Sequence, residues 1–122
     1  MRALEISLFL SPEPLKVLPG TKTKLTKSDI WAQTNDDGGN YVIEYNLERV
    51  PEYGALTDHQ GRVISKFTQK QLAAGGVFYQ SNSKQPEWTV VDFFTFSVRA
   101  GPSKPVHQKS FYVQISYDLG KI

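Results

Sequence analysis

The carboxylates offer the first chance of chemistry. Asp36-Asp37-Gly38-Gly39 sets two of them in a glycine-rich loop, and Glu44, Asp92 and Asp118 are further acids that a fold could bring to it. Calcium takes six to eight oxygen ligands, so a group of this kind is where a cation site would be sought. The spacing is not that of an EF-hand loop, because no alternating acids ending in Glu follow. Asp and Gly are also turn formers, and a polar turn is the preferred reading of the loop. His59 and His107 are the only histidines, and neither has a ligand-type residue two or four positions away. They read as surface residues rather than metal ligands.

Nucleophilic chemistry finds no support. There is no Gly-x-Ser-x-Gly elbow and no phosphate-cradling glycine loop. The chain has no cysteine, which excludes thiol catalysis, zinc ribbons and cysteine-linked haem. Every catalytic signature fails, so the expectation is a protein that is not an enzyme and needs neither cofactor nor metal. The densest basic run is Lys22, Lys24 and Lys27, which makes these the candidate ligand-binding residues. On a strand, Lys22 and Lys24 point the same way and could meet a sulfated glycan or an acidic partner. The competing and preferred reading is an edge strand that lysines protect against stray pairing. Trp31 and Trp88 could anchor a partner, but such residues more often cover the end of a core.

The elements that would hold these residues are short and alternate with period two. Leu4, Ile6, Leu8 and Leu10 share one face of a first strand, with Glu5 and Ser7 opposite. A short run, Leu15 to Leu18, follows among prolines. Tyr41, Ile43, Tyr45 and Leu47 mark a clear strand that Pro51 ends. Gly54 to Thr57 and Val77 to Gln80 are shorter. Phe94, Phe96 and Val98 alternate with Thr95, Ser97 and Arg99, and Phe111, Val113, Ile115 and Tyr117 alternate with polar neighbours. One segment, Phe67 to Gly75, leans toward a single helical turn, with Thr68 as its cap and Gly75 or Gly76 closing it. The pattern predicts an all-β fold, an antiparallel seven-stranded Greek-key β-sandwich.

A length of 122 residues suits one domain. Seven Phe, six Tyr and two Trp lie in clusters, enough for a core without disulfides. No stretch approaches the roughly 18 apolar residues of a membrane span. A net charge of +2 and a pI near 8.8 are too mild to suggest nucleic acid. Met1 reads as an added start in front of a segment excised from a longer chain.

Pro51-Glu52-Tyr53-Gly54-Ala55-Leu56, then Phe67-Thr68-Gln69-Lys70-Gln71-Leu72, then Gly75, Val77 and Tyr79, and finally Asp92-Phe93-Phe94-Thr95-Phe96-Ser97-Val98 form an ordered set. This set resembles the CSPG repeat, named for chondroitin sulfate proteoglycans and found also in Fraser-syndrome-type matrix proteins. The likeness runs from about Pro14 to Tyr117. It implies a cadherin-like or Ig-like sandwich as a single domain over 1–122, with its core at 14–117, cut from a multi-repeat protein. It also implies an extracellular structural and adhesive module whose partners are neighbouring repeats and matrix proteins or glycans. Whether or not the parent chain is membrane-anchored, this domain is expected not to contact the membrane. The alternatives are a carbohydrate- or glycosaminoglycan-binding sandwich and an accessory domain of a secreted enzyme. Repeats of this family often carry Asp-Gly after the Phe-x-Phe-x-Val strand, where this chain has Arg99-Ala100-Gly101-Pro102. A carboxylate is missing where a calcium cluster would want one. The expectation is therefore folding without calcium and affinity no tighter than about 10⁻⁴–10⁻³ M, with Asp36, Asp37 and Asp92 as the only partial ligand set.

Overall fold

The computed structural model describes residues 4–35, 41–82 and 89–116. In chain order the elements are β1 (Ile6–Leu10), β2 (Leu15–Val17), β3 (Lys22–Lys24), β4 (Ile30–Thr34), β5 (Ile43–Arg49), β6 (Gly54–Thr57), β7 (Lys66–Thr68), α1 (Gln69–Ala73), β8 (Phe78–Ser81), β9 (Thr89–Ala100) and β10 (Val106–Ser116). They form a five-stranded sheet, β2-β10-β9-β5-β7, a three-stranded sheet, β3-β8-β6, and a two-stranded pair, β1-β4. All three feed one core. Tyr45, Phe67, Phe94, Phe96, Val98, Phe111 and Val113 enter it from the large sheet, Leu56 and Tyr79 from the second, and Ile30 and Ala32 from the pair. The arrangement is mostly β and consistent with a sandwich.

The described residues make ten strands where the sequence pattern predicted seven. Two of the extra ones, β3 and β7, are three residues long, too short for alternation to register. The third is β4, whose alternate positions Ile30, Ala32 and Thr34 include only one large apolar residue. The expectation of a wholly antiparallel fold also needs correction, because β2 pairs with β10 in parallel, Leu15 against Val113 and Val17 against Ile115. Side-chain alternation sets which face is buried and carries nothing about strand direction.

The long β9 is the spine of the large sheet. Its even-numbered residues from Asp92 to Ala100 are buried and its odd-numbered ones are not. Both neighbours of β9 bulge at the level of Phe96: β5 between Leu47 and Arg49, and β10 between Val106 and Lys109. The Glu48 carboxylate joins the two bulges. It accepts from the Gln108 backbone N–H at 2.7 Å and meets His107 Nδ1 at 3.1 Å. Gln108 sits at φ 55°, a backbone state that costs a side-chain-bearing residue strain, and the Glu48 bond offsets part of that cost.

Candidate functional site

Polar side chains inside a β core are where a site would be built, and the strongest concentration surrounds Asp92. The residue is in phase with Phe94 and Phe96, so it points inward and is only 2% exposed. Its Oδ1 accepts from the backbone N–H groups of Glu52 and Phe93, both at 2.8 Å. Oδ2 accepts from the Tyr53 N–H at 3.0 Å and from the Tyr79 hydroxyl at 2.6 Å. Four donors on two oxygens leave the carboxylate well satisfied, which is the condition for burying a charge. Burial pushes the Tyr79 phenol well above its ordinary value of 10.0, and the hydrogen bond and charge of Asp92 push it further. Gly54 keeps this cluster closed. A Cβ there would lie 2.5 Å from the Gln80 carbonyl oxygen and 2.6 Å from the Tyr79 hydroxyl. The Pro-x-x-Gly-x-Leu run and the Asp-x-Phe-x-Phe run are thus two halves of one internal staple.

The intervening Phe-Thr-Gln-Lys-Gln-Leu run is spent in the same way. Thr68 caps α1 by accepting from the Gln71 N–H at 3.1 Å, and the Gln71 side chain accepts from the Thr68 N–H at 2.8 Å. Gly75, at φ 77°, follows the helix. This is the capped single turn that the sequence predicted, and Leu72 plugs the core beneath it. The side chain of Gln69 grips β4: its Nε2 donates to the Ala32 carbonyl at 2.7 Å and its Oε1 accepts from the Ala32 N–H at 3.0 Å. An amide here does the work of a neighbouring strand. The same Oε1 accepts from the Tyr45 hydroxyl. Burial pushes that phenol well above its ordinary range, against a smaller lowering by the backbone at Ala32.

A family model for cadherin-like domains matches residues 9–115. The chain belongs to the cadherin-like family. Neither the curated proteins nor the solved structures yield a match.

In this cadherin-like domain the candidate residues do not form one cluster. Lys22 and Lys24 are exposed on β3, an edge strand paired only with β8, as edge protection requires. Lys22 Nζ lies 4.4 Å from the centre of the Phe78 ring, and a Cβ on Gly75 would meet the Lys24 side chain at 3.2 Å. Lys27 is not on the strand. It belongs to the turn before β4 and faces Phe9 and Trp31 instead. Trp31 is half-buried against the core, while Trp88 lies outside the described residues. Asp36, Asp37 and Asp118 also lie outside them. Asp92, the remaining member of the partial calcium set, has both oxygens occupied. Among the described residues no three acidic or histidine side chains converge. His59 and His107 are both exposed.

Sequence reasoning treated Asp92 as a possible cation ligand and missed its role as a staple. One signal was available: an acid standing in phase with Phe94, Phe96 and Val98 must be buried, and a buried acid must have donors. Gln69 left no such signal, since its position on a short helix is exposed in most contexts.

Proposed function

We propose that this domain is a non-enzymatic extracellular spacer and adhesive module of the CSPG-repeat type, strung end to end with similar repeats. The observation that carries the reading is the course of the first strands beside the last. Ile6, Leu8 and Leu10 border Val106 and Lys109; Ser11 to Pro14 border Ser110 to Tyr112; Leu15 to Val17 pair with Val113 to Ile115. Leu15 to Val17 therefore run in the direction of β10 itself, and the residues before them follow β10 back toward its start. Ile6 thus lies toward the pole where β10 begins, and Ser116 at the other. An antiparallel pairing would have returned both ends to the same pole. Eleven residues of β10 span roughly 35 Å at the rise of an antiparallel strand, and that is the length each module adds.

The adhesive part of the reading follows from arithmetic. A rod that repeats weak surfaces turns modest affinities into firm attachment through effective concentration. Family membership supports an extracellular setting, and no helix among the described residues is long and apolar enough to cross a membrane. The test is small-angle X-ray scattering on one, two and three directly joined copies. The expected result is a maximum dimension that grows by roughly 35 Å per copy. Compact dimers and trimers, with little growth in length, would refute the rod.

A further inference from the structure

The outer side of the β1–β4 pair carries an open cleft of about 340 Å³, lined by Ser7, Leu8, Phe9, Lys27, Trp31 and Gln33. Phe9 stands directly opposite Trp31, and Ser7 opposite Gln33. Opposed residues on one sheet face have Cβ atoms about 4.5–5.5 Å apart, so Phe9 and Trp31 form one row of the cleft and Ser7 and Gln33 a second row beside it. Phe9 is 49% exposed, on the face of β1 opposite the core-facing Leu8 and Leu10.

The donors around this cleft are unspent. Elsewhere, cations close to rings are already engaged, Lys22 over Phe78 and Arg49 over Phe93 at 4.3 Å. Lys27 makes no ion pair, ring contact or hydrogen bond among the described residues, and neither does the Ser7 hydroxyl or the Gln33 amide. The turn that holds Lys27 is itself tied down. The Asp29 carboxylate accepts from the Thr26 N–H at 2.9 Å and its hydroxyl at 3.2 Å, and the Ser28 N–H donates to that hydroxyl oxygen at 3.2 Å. Two acids stand near the cleft: Asp29, whose carboxylate accepts from Thr26 within the Lys27 turn, and Glu5, two positions beyond Ser7 at the end away from Lys27.

We propose that this cleft binds one sulfated sugar of a glycan. The apolar face of the pyranose ring lies against Phe9 and Trp31, its sulfate meets the Lys27 ammonium, and its remaining oxygens accept from Ser7 and Gln33. Three free donors beside two aromatic side chains match a ligand that is rich in acceptors and apolar on one face. The site deepens the reading of this domain as a binding module. It is independent of the rod, since the cleft can be empty on modules that extend and filled on modules that do not.

The test follows the Trp31 indole N–H by NMR during titration with a heparin-derived tetrasaccharide, the spectrum of Trp88→Phe identifying which of the two indole signals is Trp31. The expected result is a saturable shift of Trp31 that weakens with added salt. Lys27→Ala should lower the affinity about tenfold or more, the effect of one charge-assisted bond. Lys22→Ala/Lys24→Ala should leave the affinity unchanged. A fully desulfated tetrasaccharide, which keeps its carboxylates, should bind at least about tenfold more weakly by the same count. No saturable shift, equal binding of the desulfated sugar, or a loss in the Lys22/Lys24 pair equal to that in Lys27→Ala would each overturn the assignment. Lys27 is exposed in a turn, so its replacement tests binding without touching the core.

Discussion

Asp92 in β9 and Asp58 in the turn after β6 gather similar donors around one carboxylate. Asp58 accepts from the backbone N–H groups of Gln60 at 2.9 Å and Arg62 at 3.0 Å, and from Arg62 Nε at 3.0 Å. Asp92 accepts from three backbone N–H groups and a phenol. The bond count is almost equal, yet the surroundings differ. Asp58 sits in a surface turn beside an exposed Arg62, its own side chain 13% exposed, so water can reach the edge of its donor set. Around Asp92 the donors come from segments 39 and 40 residues away and from a tyrosine inside the core, where water does not reach. The same motif thus closes a local turn in one place and joins distant parts of the chain in the other. A hydrogen bond is expensive to leave unmade only where nothing else can make it.

The comparison breaks most visibly at Asp92. Asp92→Ala strands the Tyr53 and Phe93 N–H groups and the Tyr79 hydroxyl, each costing about 1–3 kcal/mol when unpaired and buried. We expect a total loss of at least about 3 kcal/mol in urea unfolding, a large share of the 5–15 kcal/mol typical of a domain. Tyr79→Phe, which removes one donor and leaves the carboxylate three others, should cost about half as much. A loss under about 1 kcal/mol for Asp92→Ala would mean that the loop opens to water and the staple is ornamental.

Alkali sharpens the contrast at an intermediate size. Tyr79 and Tyr45 both have folded values raised above the ordinary 10.0. An unfolded chain releases these protons near pH 10 while the folded one keeps them. Their contribution is therefore complete below pH 10 and is lost as pH climbs above it. Tyrosinate absorbance should show the Tyr79 and Tyr45 phenols silent until the protein unfolds, at a pH above 10. Ionisation of all six in one step near pH 10, with the fold intact, would contradict the buried phenols.

Asp58 should give the smallest effect. The Arg62 N–H holds its carboxyl below the ordinary 3.8, with partial opposition from desolvation and further help from the Gln60 N–H and the Arg62 guanidinium. A depressed value means stability that is present above pH 3.8 and fades as pH falls through the folded value. Asp58→Ala should flatten only that acid limb of the pH–stability curve and shift the neutral-pH midpoint far less than Asp92→Ala. An equal shift would show that the turn is as enclosed as the staple.

Much of this fold was legible because its large strands alternate cleanly. Phe94, Phe96 and Val98 are fully buried as their spacing implied, and so are Leu56 and Leu72. The helical turn was legible because Thr68 and Gly75 carry their meaning locally. What escaped was set by partners far along the chain. Nothing in Lys66-Phe67-Thr68 says that it lies against β5, and nothing in Leu15-Lys16-Val17 says that its neighbour runs the same way. The basic run looked like one feature because its members are close in sequence. The turn after β3 separates them, and Lys27 ends beside aromatics that entered from β1 and β4.

The shared direction of β2 and β10 has a mechanical side. A tether pulled at both ends would draw β2 and β10 past each other along their length. Their hydrogen bonds lie across that pull, so they carry load side by side and must fail together. A module whose terminal strands ran in opposite directions would be unzipped one bond at a time under a far smaller force. In a chain of such units under tension, this short parallel ladder would be the clasp.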